Sequence, residues 1–176
     1  MINARRTLHP GFFTAIWLLP ILALLQTSLI PHLSVGSAVA GIVLIAVVDW
    51  GILRGPDEGM MWGFIGGLCL DVFTGWPFGT NTVAMVLVAS AVSLGGATFI
   101  RTHALLAPGT VFVATILYFL VVMFILQSTE HPVAWIEALR SAVLPAALIN
   151  AVLNVPIFWL FGRLDGRIYP MPRANW

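Results

Sequence analysis

Apolar residues run through this chain in long stretches, broken by short clusters of Gly, Pro and charged residues. A helix that crosses a bilayer needs roughly 20 such residues in succession. Six runs meet or approach that length: about Phe12–Ile30, Val35–Leu53, Gly59–Phe73, Thr80–Ile100, Leu105–Gln127 and Ser141–Phe161. The third is short. The connections between runs are also short, which predicts antiparallel neighbours packed in one compact bundle of six transmembrane helices. No linker or low-complexity tract interrupts the chain, so a single transmembrane domain over residues 1–176 is expected.

Composition sharpens that picture. Of 176 residues, 60% are hydrophobic and 9% charged, against about 25% charged in soluble domains. The chain is therefore read as an all-α integral membrane protein. A formal net charge of +1 with no dense Lys/Arg cluster argues against nucleic-acid binding. The distribution of arginines sets an orientation. Arg5, Arg6, Arg54, Arg101, Arg163, Arg167 and Arg173 fall on one face of a six-span arrangement, and only Arg140 on the other. By the positive-inside rule both termini are then cytoplasmic. The outer loops become Pro31–Ser34, Gly75–Gly79 and Ser128–Arg140. In the last of these, Val133 to Arg140 reads as an amphipathic turn on the outer surface. Arg5 and Arg6 before an apolar run mimic a signal peptide. The run is too long and lacks a small-x-small site, so it reads as an uncleaved first span.

Candidate chemistry is sparse. The single Cys69 lies in an apolar run and reads as a small buried hydrophobe. His9, His32, His103 and His131 are scattered over separate segments, so no metal or cofactor site is expected. Trp17, Trp50, Trp62, Trp76, Trp135 and Trp159 lie mostly near span ends, as an interfacial aromatic belt would. No nucleophile–base pair, HExxH motif or phosphate loop is present, which argues against an enzyme.

Polar positions inside the apolar runs carry the remaining information. Gly51, Gly55, Gly59, Gly63 and Gly67 repeat every four residues, and Asp71 continues the series. In the third span this stacks Gly59, Gly63, Gly67 and Asp71 on one face. Small residues at that spacing let helices approach closely. The face serves either packing within the chain or a helix from a partner. Asp71 lies about a turn from the span's outer end with no arginine near in sequence, and reads as a structural latch or a functional contact. Asp49, one turn from Arg54, reads as an interfacial charge paired with it. Gly75, Pro77 and Gly79 mark the outer turn. In the sixth span, Pro145 and Pro156 flank Asn150 and Asn154, which share a face. That seam is either a polar zipper or a surface toward a partner or small cavity.

The segment Gly63-Phe64-Ile65-Gly66-Gly67-Leu68-Cys69-Leu70-Asp71, followed by Gly75-Trp76-Pro77-Phe78-Gly79, resembles the hallmark of the MreD family of bacterial rod shape-determining membrane proteins. That family shows a glycine-rich "GLLLD" span and then "G-x-P-L-G", with Phe78 here replacing the usual leucine. Leu25-Gln26-Thr27-Ser28-Leu29-Ile30-Pro31 and Asn150-Ala151-Val152-Leu153 with Pro156 beyond are also similar. Ala38-Val39-Ala40-Gly41 departs from a Pro-Asp-type start to the second span, so no role is carried over there. The resemblance implies a non-enzymatic scaffold in the bacterial inner membrane, working with the bitopic protein MreC. Together they would control the elongation transpeptidase and the glycosyltransferase RodA, alongside the actin-like MreB. It also implies a fold like the six-helix substrate-binding subunits of energy-coupling-factor vitamin transporters.

Two functions follow as expectations. One is an adaptor that seats the MreC membrane helix on Gly59, Gly63, Gly67 and Asp71, with a homodimer as another use of the same face. The other is a small-molecule-binding transporter subunit, for which Asp71, Glu130, Glu137, Asn150 and Asn154 are the polar candidates. A lipid-modifying hydrolase is a third and weaker reading.

Overall fold

In a computed structural model of the chain, residues 10–28, 41–94, 106–129 and 133–168 are described. They form α1 (Pro10–Ser28), α2 (Ile42–Arg54), α3 (Pro56–Phe73), α4 (Thr80–Leu94), α5 (Ala107–Ser128), α6 (Trp135–Ala138) and α7 (Leu144–Ile168). A π-helical turn, Leu139–Val143, joins α6 to α7, so Trp135 to Ile168 is one continuous rod and the described residues form six rods. Arg5, Arg6, Arg101, Arg173, all four histidines, Glu130 and the Pro31–Ser34 loop lie outside the described residues, as do the expected ends of several spans.

The order of packing follows from α2. Every residue from Val43 to Ile52 is buried. A helix that is apolar all round belongs inside protein, and α2 indeed touches α1, α3, α4, α5 and α7. Ala15, Leu19, Ala23, Val88, Val111 and Phe161 close over it from the surrounding helices in one continuous core.

Three stretches are long and apolar enough to cross a membrane: Gly11–Ser28, Ala107–Ser128 and Trp135–Arg167. The other rods do not qualify by themselves. α2 has 13 residues, about 20 Å of helix, and α4 has 15. The glycines and acids of α3 lower its hydropathy. Protein neighbours rather than lipid surround α2.

Two corners set the geometry. The sequence predicts a loop between spans two and three, but only Gly55 separates them. Its φ of 97° is left-handed, a conformation glycine adopts without a Cβ clash. Pro56 then opens α3 with φ already helical. The second corner lies between α3 and α4. Pro77 O accepts hydrogen bonds from Thr80 N at 3.1 Å and Thr80 Oγ1 at 2.7 Å. Gly79 supplies the positive φ (95°) that the third position of such a turn demands. Gly75 is unconstrained: a Cβ added there would meet nothing within 4 Å. The expected amphipathic segment at Val133–Arg140 becomes the start of the last rod. Its π turn ends just before Pro145, which has no N–H for the carbonyl four residues back and would clash with it in an α-helix.

Candidate functional site

Asp71 sits on the last turn of α3, beside the first turn of α4. Its Oδ1 accepts hydrogen bonds from Asn81 N (2.8 Å) and Asn81 Nδ2 (2.9 Å). Its Oδ2 accepts from Thr82 N (3.1 Å) and Thr82 Oγ1 (2.5 Å). A carboxylate offers about four lone-pair positions, and all four are used. Two of the donors are main-chain N–H groups of the first turn of α4, which no residue within a helix can satisfy. Asp71 thus caps α4 from a neighbouring helix, with its negative charge at the positive end of that helix's dipole. Asn81 extends the cluster. Its second Nδ2 hydrogen goes to Thr74 Oγ1 at 2.9 Å, and its Oδ1 accepts from the Tyr118 hydroxyl on α5. Of the two roles expected for Asp71, the geometry is that of a latch.

The glycine face lies against the same helix. A Cβ on Gly67 would come within 2.8 Å of Asn81 O and Thr82 N; on Gly63, within 3.0 Å of Met85 O and 3.2 Å of Ala89 Cβ. A Cβ on Gly59 would come within 2.8 Å of Ser93 Oγ on α4 and 2.9 Å of Gly51 Cα across the Gly55 corner. The seat expected for a partner's helix on Gly59, Gly63 and Gly67 is therefore filled by α4 and α2 of this chain. The physical reason is the short α3–α4 connection, which folds the nearest helix in sequence onto the smoothest face available.

Between the latch and the far ends of α1, α2 and α7 lies a cavity of about 450 Å³. Gln26, Thr74, Trp76, Asn81, Tyr118 and Asn150 are among the residues that line it. Asn150 Oδ1 accepts from Gly41 N at 2.8 Å, and Gln26 Oε1 from Val43 N at 3.0 Å, so both side chains cap the start of α2. Asn150 Nδ2 donates to Thr115 Oγ1 at 3.1 Å. The expected seam of Asn150 and Asn154 is split: Asn150 borders the cavity, and Asn154 turns to α2.

The rod shape-determining protein MreD family model matches residues 6–164. The chain belongs to the MreD family. No curated protein matches it, and neither does any solved structure. Membership in a family of rod shape-determining proteins assigns this chain a role in rod-shape determination, and its long apolar helices fit a membrane protein.

Two further clusters in this MreD-family chain depart from the sequence expectations. Asp49 is fully buried and does not pair with Arg54. Its Oδ1 accepts from Asn154 Nδ2 at 2.6 Å, while Asp49 Oδ2 and Asn154 Oδ1 have no partner among the described residues. Arg54 instead reaches Glu58 (3.4 Å) and Asp165 (3.6 Å). A helical position five residues from Arg54 points to a different side, and there Asp49 faces α7. An amide at position 49 would accept from Asn154 Nδ2 and donate to Asn154 Oδ1, giving a partner to both of the buried atoms that lack one. Asp49→Asn is accordingly expected to unfold at or above the wild-type temperature. Asp49→Leu, which strands the Asn154 amide, is expected to lose about 2 kcal/mol in the same thermal scan.

The aromatic belt is likewise divided. Trp17, Trp76 and Trp159 are exposed, but Trp50 and Trp62 are core residues. Their rings stack with centroids 4.3 Å apart at 12°, and Phe161 meets both edge-on at about 6 Å. Trp50 Nε1 donates to Glu58 Oε2 at 2.9 Å and Trp62 Nε1 to Gly11 O at 3.2 Å. This stack binds α2, α3 and α7 at the end opposite the Asp71 latch. Sequence reasoning missed Gln26, Asn81, Thr82, Thr115 and Tyr118. Asn81 and Thr82, just after a Gly turn at a helix start, carried a capping signal. Thr115 and Tyr118 are lone polar residues in an apolar run and carried none.

Proposed function

We propose that this protein is a non-enzymatic adaptor of the bacterial cell-elongation machinery. In this reading it spans the inner membrane several times with both termini in the cytoplasm. It binds MreC through that protein's membrane helix, and so helps regulate side-wall peptidoglycan synthesis by the elongation transpeptidase and RodA, in register with MreB. The observation that carries the scaffold reading is the state of Asp71. The most conspicuous acid of the chain has every carboxylate position engaged by α4, which leaves it to rigidity rather than to chemistry. In this reading the partner's helix seats elsewhere than on Gly59–Gly67, a face that packs on this chain's own helices.

The test is retention of MreC by affinity-tagged protein in mild detergent. Wild type and Gly75→Ala are expected to retain it equally. Well-folded, monodisperse protein that fails to retain MreC from membranes containing it would overturn the adaptor reading.

The cavity favours a second reading, a vitamin-binding transporter subunit like those of energy-coupling-factor systems. Of its expected polar contacts only Asn150 borders the cavity. Asp71 is fully engaged, Asn154 lies with Asp49, Glu137 sits in a surface depression with Arg140, and Glu130 is outside the described residues. Among the described residues, no charged group lines this place for a charged vitamin.

A further inference from the structure

The cavity at the Asp71 end has a hydrogen-bonding polarity that the fold itself fixes. Gly41 and Val43 offer main-chain N–H groups to Asn150 and Gln26. An N–H can only donate, so the facing atom of each side-chain amide is its oxygen. The NH₂ ends remain. Asn150 Nδ2 places one hydrogen on Thr115 and has a second. The Gln26 NH₂ has no partner among the described residues, and Thr74 accepts from Asn81 without donating its own proton to any of them. The two hydrogens of Asn81 Nδ2 are both engaged. What the amides of Gln26 and Asn150 and the Thr74 hydroxyl have left to offer is therefore donors, beside the lone pairs of the Thr27 and Tyr118 hydroxyls, whose own protons go to Ala23 O and Asn81 Oδ1.

Among the described residues, charge is absent in the same place. No Arg, His, Asp or Glu is among the described lining residues. Asp71, directly behind Asn81, has no lone pair free for a cation and would repel an anion. An ion entering here would lose its water without gaining a counter-charge. Phe73, Trp76, Tyr118 and Phe119 add aromatic surface to a wall that also holds Leu44, Leu70 and Met85. A volume of about 450 Å³ lies within the usual range for small-molecule sites.

We propose that this cavity binds an uncharged ring compound that accepts hydrogen bonds, such as a ring ketone. The site does not depend on the adaptor reading, and loss of MreC binding would leave it untouched. Donors from α1, α7 and the α3–α4 turn would hold the acceptor atoms, while the aromatic walls cover the ring faces. Because Gln26 and Asn150 also cap α2, an occupant would brace three helices at once.

The probe is 6-propionyl-2-(dimethylamino)naphthalene, a neutral naphthalene ketone whose emission moves to the blue on leaving water. It is titrated into the detergent-solubilised full chain and into protein-free micelles. A saturable blue-shifted component of one probe per chain, above the micelle background, is the expected result. Ala146→Phe and Ala142→Phe place a ring inside the cavity without touching its hydrogen bonds, and each should weaken binding at least tenfold. Gly109→Ala lies elsewhere, with open space around its Cβ, and should bind as wild type. Unlabelled 2-acetylnaphthalene should displace the probe and naphthalene-2-sulfonate should not. Thermal unfolding of each variant identifies those that fold, and either filled variant suffices for the comparison. A signal that never saturates, one equal in the filled variants and wild type, or displacement by the sulfonate as effective as by the ketone would overturn the proposal.

Discussion

Gly67→Ala is expected to destabilise the bundle by about 2 kcal/mol or more, although alanine is the better helix former by about 1 kcal/mol. The added carbon would sit 2.8 Å from Asn81 O and Thr82 N. These are main-chain atoms, so no side-chain rotation relieves the clash. α4 must move outward, and the hydrogen bonds to Asp71, one turn further along the same face, lengthen with it. For a chain of this size the loss corresponds to a fall of about 4–8 °C in the thermal midpoint of the detergent-solubilised protein. Gly67→Leu should not accumulate as folded protein. Gly75→Ala, where a Cβ meets nothing within 4 Å, is the control and should stay within about 0.5 kcal/mol of wild type. A partner seat on this face gives the opposite pattern: Gly67→Leu would fold normally and lose only its binding. That outcome would refute the internal packing argued for α3 and α4.

Asp71→Leu is expected to cost on the order of 4 kcal/mol. It removes the cap of α4 and leaves the Asn81 and Thr82 donors unpaired inside the bundle, each costing about 1–3 kcal/mol. Asp71→Asn keeps one acceptor oxygen but turns an NH₂ toward a second donor pair, and should cost about half as much. The damage should be local before it is global. Amide hydrogen exchange at Asn81 and Thr82 should accelerate in Asp71→Asn under conditions that leave the core of α2 protected. Equal protection of those two amides in wild type and Asp71→Leu would show that α4 does not need the latch.

Much of this arrangement was legible in the residues. The four-residue glycine spacing announced a close helix contact, and a carboxylate at the end of that series announced polar partners near the α3–α4 turn. The spacing could not say whose helix fills the notch, because a smooth face looks the same whether its partner is the next helix or another protein. Distance in sequence hid the rest. Asp49 has Arg54 close by in the chain, yet its hydrogen-bond partner Asn154 lies 105 positions away. Trp50 and Trp62 lie toward the ends of the spans expected from sequence, where a lipid interface is the usual reason for tryptophan, but their complete burial and their packing on each other and on Phe161 put them in the core. The cavity was the least legible feature. It is made by residues from α1, α2, α3, α4, α5 and α7, each alone ordinary in an apolar run.

The complete enclosure of α2 constrains how the protein is made. A 13-residue helix bearing an acid is a poor lodger in hydrocarbon: at about 20 Å it is too short, and Asp49 adds roughly 2.5–3.5 kcal/mol at mid-helix by insertion scales. Asn154 emerges from the ribosome 105 residues after Asp49, a delay of roughly 5–20 s at ordinary rates of translation. Through that interval α2 lacks its partner on the last helix, and the α2–α3 hairpin is expected to enter lipid less readily alone than with the finished bundle.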